Sequence, residues 1–345
     1  MAGERTMRRW VIDQHGRDAL RIDKASVPSP GPGELLVRVS AVALNARDLL
    51  MIKDGMGLAL RFPFVPASDM AGVVEAVGEG ASRFGPGDRV IGYFLPEWID
   101  GRPGGSAREP SYRTLGGHFP GVLADYVCFP DGWFTRAPDT LDDAGASTLP
   151  VAALTAWFSL VEQGRLKAGD TVLIPGTGGV ALFAVQLAAA HGAEVIVTSS
   201  SGDKLRRVLD LGASHAINRI EDDVLTAVLA ITGGRGVDHV LDLVGGDNFA
   251  RSIAAVAPGG RVSVIGLLEG AALSAPTVPV LLKAPVIQGI VTGHRCALAD
   301  LVRAVDRIGL KPVIDRRYAF ADLPTALDHL AAGPFGKLVV ELAAN

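Results

Sequence analysis

A glycine-rich turn separates two apolar runs near the middle of the chain. It has the spacing Gly176-x-Gly178-x-x-Ala181 within TVLIPGTGGVALFAVQL. The first glycine permits a tight turn, the second lets the backbone approach a pyrophosphate, and a small third residue lets a helix pack on the preceding strand. The helix start offers the N–H groups of Gly179 and Val180 to phosphate oxygens. We predict a dinucleotide site here; the alternative is an ordinary turn between a strand and a helix.

The end of the next predicted strand, EVIVTSSS, indicates which dinucleotide fits. A site for NAD usually has an acidic residue about 20 positions after the turn, where it binds the ribose 2′-OH. Here hydroxyl side chains, among them Ser199 and Ser200, occupy that place, and the first carboxylate is Asp203. Hydroxyls followed by Lys204, Arg206 and Arg207 suit a 2′-phosphate, because a charge-assisted hydrogen bond contributes roughly 1.5–3 kcal/mol. We predict NADP(H) rather than NAD(H), although Lys204 and the arginines after it also fit a solvated helix face.

Two patterns divide the chain and predict two domains. Residues up to about 150 form short β-rich runs between Gly/Pro turns, which is typical of an antiparallel, partly closed β domain. From there, strands alternate with helical patterns, which predicts a doubly wound parallel sheet in an α/β fold. The last 50 residues return to the first domain. We therefore predict one domain over 1–151 and 297–345, and a dinucleotide-binding domain over 152–296.

The composition excludes several classes of protein. The chain has 345 residues, two cysteines and a net charge of -4. Two cysteines cannot make a disulfide scaffold or a four-thiolate zinc site, and the acidic balance gives no footprint for nucleic acid. The N-terminus, MAGERTMRRW, lacks an apolar stretch, so we expect no signal peptide, and no segment is long and apolar enough for a membrane span. We expect a cytoplasmic protein.

Several motifs together resemble the medium-chain dehydrogenase/reductase superfamily over nearly the whole length. They are VALNARDLL (42–50), FPFVPASDMAGVVEAVGEG (62–80), LKAGDTVLIPGTGGV (166–180), APGGRVSVIG (257–266) and GKLVV (336–340). The resemblance implies a Rossmann domain with a doubly wound parallel sheet and a GroES-like, mostly antiparallel β domain. It also implies an NAD(P)-dependent oxidoreductase.

The motifs that hold catalytic zinc in that superfamily are altered here. Zinc-dependent alcohol dehydrogenases supply a Cys, a His-Glu pair and a second Cys, and the matching positions here are Asn45, Ser68 with Asp69, and Val151. These side chains cannot provide the thiolate and imidazole ligands of tetrahedral zinc. The chain more closely resembles the zinc-free, quinone oxidoreductase-like branch, and within it a "zinc-type alcohol dehydrogenase-like" group. We therefore predict no metal.

The resemblance also places residues around a nicotinamide. It puts the amide of Asn45 near the ring, where it can hydrogen-bond a carbonyl, and it puts Thr155 along the same ring. Backbone groups of Val244, Gly266 and Leu267 follow predicted parallel strands and would contact the nicotinamide half. Structural roles as a turn cap for Asn45 and a helix residue for Thr155 are the alternatives.

Three further residues have less specific patterns. Asn218 follows the third predicted strand and would flank the adenine or its phosphate, although relatives often have a tyrosine where Arg219 stands. Tyr93 follows the strand DRVIG and is a candidate proton donor, or else part of the core. Asn45 and Tyr93 are thus the two predicted catalytic residues.

These predictions support one function ahead of two alternatives. The first is a zinc-independent transfer of a hydride from NADPH to an activated double bond or a quinone. The alternatives are a metal-free alcohol dehydrogenase or carbonyl reductase, and an NADPH-binding interaction protein with little turnover. We expect a small-molecule substrate and a homodimer, since VIQGIVTG (286–293) is predicted to be an edge strand that can pair with its symmetry mate.

Overall fold

The computed structural model describes residues 5–342. The chain divides into two compact units, one formed by the described residues up to Val151 and from His294 onward, the other by Ala152–Gly293. The chain returns to the first unit at His294, whereas the prediction placed that return at residue 297. His294 is the N-cap of the helix that starts at Arg295, and its Nδ1 accepts the N–H of Ala297 (3.0 Å). The expectation that there is no signal peptide concerns the N-terminal segment, of which residues 1–4 lie outside the described residues.

The first unit is built on antiparallel strands. A two-stranded sheet pairs β1 (Thr6–Ile12) with β2 (Leu20–Ser26). A second sheet has the order β14-β15-β3-β4-β5-β7, with β6 also paired to β3. Its strands are β3 (Glu34–Leu44), β4 (Asp69–Val77), β5 (Arg89–Gly92), β6 (Tyr126–Pro130), β7 (Phe134–Arg136), β14 (Ile314–Ala319) and β15 (Lys337–Glu341). Every pair in this sheet is antiparallel except β14 with β15.

The core of this unit follows from the β-branched composition of its central strands. Val37, Val42, Leu44, Met70 and Leu338 are all buried in one apolar cluster. The helices of the unit are α1 (Ala46–Asp54), α2 (Asp143–Ser147), α9 (Arg295–Ile308) and α10 (Leu323–Ala331).

The second unit is a parallel sheet of the order β10-β9-β8-β11-β12-β13. Its strands are β8 (Thr171–Pro175), β9 (Glu194–Ser199), β10 (His215–Asn218), β11 (Val237–Asp242), β12 (Val256–Val264) and β13 (Val286–Gly289). The helices are α3 (Leu154–Trp157), α4 (Gly179–Ala190), α5 (Gly202–Asp210), α6 (Val224–Ile231), α7 (Asn248–Ala255) and α8 (Thr277–Lys283). Wider π-type turns at Leu149–Ala153 and Phe158–Glu162 flank α3.

These observations confirm the predicted α/β class, with a doubly wound parallel sheet and a mostly antiparallel second unit. The strand order reverses between β8 and β11, and in such sheets ligands bind at the carboxyl ends of the strands beside that reversal. Within residues 5–342, no helix is both long and apolar enough to cross a bilayer.

Candidate functional site

The predicted dinucleotide turn lies at the carboxyl end of β8, beside the reversal of strand order. Gly176 has φ +100°, a conformation that favours glycine, and its N–H donates to Thr198 O (2.8 Å). Gly178 caps α4 without a side-chain hydrogen bond, so no side chain occupies the first N–H groups of the helix. A Cβ at Gly178 would meet no atom within 4 Å. The space in front of this turn can therefore accept a phosphate.

The residues predicted to read the ribose lie together at the ends of β9 and β10. Ser199 is buried and ends β9, whereas Ser200 is exposed. Asn218 pairs with Ser199 in the parallel register, and the N–H of Arg219 donates to Ser199 O (3.0 Å). Lys204 lies in the first turn of α5, whose N-cap is the adjacent Ser201. This edge therefore combines serine hydroxyls with Lys204, five residues after Ser199, and with Arg219, whose backbone lies beside Ser199.

The glycines after β11 and β12 serve the packing of the unit itself. A Cβ at Gly266 would lie 1.9 Å from Leu243 O, and one at Gly245 would lie 2.2 Å from Gly266 O. The predicted backbone contacts, Val244 and Gly266 with Leu267, are thus on two segments that touch each other through backbone. The structure leaves their contact with a cofactor as a prediction.

Asp242, which the sequence analysis missed, fixes the turn after β11. It is fully buried, and its Oδ1 accepts the N–H of Gly245 (2.9 Å) and of Val244 (3.2 Å) as well as Nδ2–H of Asn248 (2.9 Å). The signal in the sequence was an acidic residue shortly before a Gly-Gly pair, because such carboxylates commonly accept backbone N–H groups in turns.

A buried polar cluster forms in the first unit, where three strands meet at one end. In the antiparallel register Leu44 pairs with Leu338, and Ala43 pairs with Asp69. The end of β3, the start of β4 and the start of β15 therefore share one edge. Asn45, Asp69 and Lys337 come together there although they are far apart in sequence.

Lys337 lies at the centre of this cluster and is only 3% exposed. Its Nζ donates to Leu44 O (2.6 Å) and to Asn45 Oδ1 (2.7 Å). Burial lowers the pKa of Lys337, while the nearby carboxylates of Asp69 and Asp48 act to raise it. In the sequence this lysine stands at the start of the apolar strand GKLVV, a pattern that gives no sign that its side chain is buried.

Asp69 is the second centre of the cluster. Its Oδ1 accepts from Ser68 Oγ (2.8 Å), and its Oδ2 accepts the N–H of Val151 (3.1 Å). Burial raises the pKa of Asp69, and Lys337, Asn45 and Ser68 oppose that rise. The carboxylate is thus enclosed by donors.

The residues of this cluster do not fit zinc. The oxygen of Asn45 accepts from Lys337, the hydroxyl of Ser68 donates to Asp69, and Val151 takes part only through its backbone. A buried ammonium in the middle would repel a divalent cation. Across residues 5–342, no three His, Cys, Asp or Glu side chains are grouped to hold a metal ion.

Within residues 5–342, two residues predicted to line a nicotinamide have a buried polar atom without a hydrogen bond of ordinary geometry. They are Nδ2 of Asn45, in the first unit, and Oγ1 of Thr155, in the second. Burying such an atom unpaired costs about 1–3 kcal/mol. Atoms of this kind are suited to a ligand that supplies the missing partner, so each position fits its predicted role.

The surroundings of Tyr93 do not support the predicted role as a proton donor. Its side chain is fully buried, and its hydroxyl donates to Trp98 O (3.0 Å). Burial raises the pKa of Tyr93 well above its usual range. A buried hydroxyl that is bonded to a carbonyl of the next loop acts as a structural tie.

Asp48 gives this cluster a pH dependence that can be measured. It is 1% exposed, its Oδ2 accepts the N–H of Asn45 (2.8 Å), and burial raises its pKa to about 6. A raised pKa means that the folded state favours the protonated carboxyl. The contribution of Asp48 to the free energy of unfolding is therefore fully present below about pH 4 and is lost as the pH rises to about 6. An asparagine side chain at this position would keep an accepting oxygen and cannot ionise.

We expect Asp48→Asn to be more stable than the wild type at pH 7, by up to about 3 kcal/mol. The difference should shrink toward pH 4 in urea unfolding curves. Asp210→Asn, at an exposed position of α5, is the control and should follow the wild type. If the free energies of unfolding of the wild type and of Asp48→Asn changed in parallel with pH, the raised pKa of Asp48 would be contradicted.

Comparison with known proteins shows the family to which the chain belongs. Residues 31–139 match the family described as Alcohol dehydrogenase GroES-like domain, and residues 179–307 match the family described as Zinc-binding dehydrogenase. A zinc-type alcohol dehydrogenase-like protein of Schizosaccharomyces pombe is 36% identical over 345 residues, which cover 97% of this chain and 99% of that protein. The chain belongs to the medium-chain dehydrogenase/reductase superfamily. It is therefore an NAD(P)-dependent oxidoreductase, as predicted.

Two further proteins are similar to this superfamily member over nearly its whole length. A provisionally assigned alcohol dehydrogenase from Sinorhizobium meliloti, known from its crystal structure, is 57% identical with a TM-score of 0.96, covering 99% of this chain and 100% of that one. Human quinone oxidoreductase is 26% identical over 351 residues, 99% of each chain. Members of the superfamily bind a nicotinamide cofactor, so the residues at 176–180 fit an expected ligand.

Proposed function

We propose that this protein transfers a hydride from NADPH to an activated double bond or a quinone without zinc. The observation that carries this proposal is the cluster of Asn45, Asp69 and Lys337, in which Asn45 and Asp69 stand where zinc-dependent relatives have the motifs for metal binding. An enone or a quinone is already polarised, so its reduction needs orientation and a hydrogen-bond donor on the oxygen rather than a Lewis acid.

The chain's own residues would supply that orientation. When bound, NADPH supplies the hydride and becomes NADP⁺. With an enone, that hydride would add to the β-carbon, the carbonyl oxygen would take up the negative charge, and the α-carbon would be protonated by water. Asn45 Nδ2 is the donor proposed for that oxygen. Water is the proton source because the hydroxyl of Tyr93 is bonded to Trp98 O.

The preference for NADPH over NADH is part of the proposal. It is supported by Ser199 and Ser200 at the end of β9, by Lys204 in the next turn, and by the backbone contact that brings Arg219 beside Ser199. The first carboxylate, Asp203, forms an ion pair with Arg206. It is therefore engaged away from a ribose hydroxyl.

We also propose that the protein is a homodimer. In the described part of the chain, β13 is an edge strand, and the adjacent α8 exposes Val278, Leu281 (70% exposed) and Leu282 (79% exposed). Large exposed apolar side chains beside an open edge mark an interface.

Sedimentation equilibrium should give twice the chain mass for the wild type. The Leu281→Glu/Leu282→Glu variant should sediment as a monomer, because two charges would be buried in the interface. Leu209→Glu, at an exposed position of α5, is the matched control and should remain a dimer. A wild type that sediments as a monomer would contradict the proposal.

The cytoplasmic location and the small-molecule class of the substrate stay predictions.

The experiment that tests the function is NADPH consumption with 2-cyclohexenone, 9,10-phenanthrenequinone and benzaldehyde. We expect turnover with the enone or the quinone and little with the aldehyde. Turnover with the aldehyde alone would favour the carbonyl reductase alternative.

A further inference from the structure

Lys337 is a buried cation, and the two carboxylates that act on its pKa have other hydrogen-bond partners. Asp69 accepts hydrogen bonds from the Ser68 hydroxyl and the Val151 N–H, and Asp48 accepts one from the Asn45 N–H. Within the described residues, the Lys337 ammonium donates hydrogen bonds instead to Leu44 O and Asn45 Oδ1. Burying an ammonium is costly unless it is paired and hydrogen-bonded. The ammonium therefore binds Asn45 strongly.

This contact favours one orientation of the Asn45 amide, whose side chain also faces the Asp48 backbone in a capping box at the start of α1. An ammonium only donates, and an Asn amide has one accepting atom, Oδ1, and one donating atom, Nδ2. The opposite orientation would place the NH₂ group against the ammonium, where both groups donate. Lys337 thus fixes Oδ1 inward and leaves Nδ2 as the free end of the amide.

That end carries two N–H donors. Asn45 Nδ2 is buried and has no hydrogen bond of ordinary geometry within the described residues. The amide does interact with the Asp69 carboxylate and lowers its pKa, so one N–H can face Asp69 while the other is left for a ligand. A cation on the amide oxygen also withdraws electron density from the nitrogen, which strengthens the N–H as a donor.

We propose that Lys337 is a positioning residue: it holds the Asn45 amide so that Nδ2 donates to the oxygen of the hydride acceptor. This proposal rests on the proposed function, and it extends it to a residue outside the motifs that suggested the site. The positive charge that a metal brings to zinc-dependent relatives is supplied here by a lysine, acting through an amide.

A direct test compares Asp69→Asn with Lys337→Met/Asp69→Asn. Removing Lys337 alone would leave a buried unpaired carboxylate, which destabilises strongly. The double variant removes both charges and so preserves the charge balance of the cluster. Thermal unfolding establishes that both variants are folded.

The first readout is kinetic. With NADPH and 2-cyclohexenone, we expect kcat of the double variant to fall on the order of a hundredfold below that of Asp69→Asn, the usual effect of losing an oxyanion donor. KM for NADPH should be unchanged, because the amide contacts the acceptor. Equal kcat values in the two variants would overturn the proposal.

The second readout needs no turnover. The chain has four asparagines, Asn45, Asn218, Asn248 and Asn345, and both variants gain a fifth at position 69, so labelling with ¹⁵N-asparagine still gives few side-chain amide signals. The Asn45 signal is identified by its loss in Asn45→Ser. We expect it to exchange slowly with water in Asp69→Asn and rapidly in the double variant. An Asn45 signal with the same shift and exchange in both would overturn the proposal, even if the wild type reduces no enone.

Discussion

Replacing Gly178 by valine is expected to abolish NADPH binding while leaving the protein folded. Gly178 has an ordinary negative φ of −81°, and a Cβ there meets no atom of the described chain within 4 Å. The new side chain would instead fill the space in front of the first turn of α4, where the pyrophosphate binds in the proposal. Fluorescence titration should show a Kd for NADPH raised by more than about a hundredfold, which is about 2.7 kcal/mol.

The matched controls separate a ligand effect from a fold effect. Gly85→Val places the same side chain at another open glycine, in the first unit, and should bind NADPH normally. Gly176→Val should unfold at a lower temperature, because φ +100° is strained for any residue with a Cβ. If Gly178→Val kept its affinity for NADPH, the turn would not face the nucleotide.

Replacing Ser200 by aspartate is expected to reverse the cofactor preference. Ser200 is exposed whereas Ser199 is buried, so a carboxylate at Ser200 need not be dehydrated within the fold. It would repel a 2′-phosphate and accept a hydrogen bond from a ribose 2′-OH. We expect Kd for NADPH to rise roughly ten- to hundredfold and Kd for NADH to fall.

Two single substitutions test the cationic side of the same contact. Lys204→Ala should weaken NADPH and leave NADH unchanged. Lys24→Ala is its control, because Lys24 is an exposed lysine of β2 in the first unit. If Ser200→Asp left the ratio of the two affinities unchanged, the 2′-phosphate would lie elsewhere.

The fold was predictable because its signals are local. The run EVIVTSSS, predicted as a strand, contains β9, and the helix predicted to start after the glycine-rich turn is α4. Both are apolar runs bounded by turn residues, and a single stretch of sequence contains that signal. The strand expected over 286–293 ends at Gly289, because only Val286–Gly289 pair with β12.

The meaning of the glycines was only partly predictable. Gly176 and Gly178 mark the nucleotide turn, but Gly245 and Gly266 are small because the chain itself approaches them within about 2 Å of a Cβ position. Sequence alone does not separate a glycine that admits a ligand from one that admits another part of the backbone. Both produce the same Gly-rich strand end.

The polar cluster was the least predictable part. Asn45 and Asp69 were identified by resemblance, but Lys337 joins them only through the pairing of β15 with β3. That pairing links residues far apart in the chain, and no local pattern in GKLVV specifies it. Burial of a lysine is decided by tertiary contacts, so it cannot be read from neighbouring residues.

The most direct test of the central claim is the metal content and the NADPH turnover of one sample after dialysis against EDTA. We predict substoichiometric zinc before dialysis, an unchanged rate with 2-cyclohexenone or 9,10-phenanthrenequinone afterwards, and no increase when zinc is added. One zinc per chain, with activity lost on chelation and restored by zinc, would contradict the account.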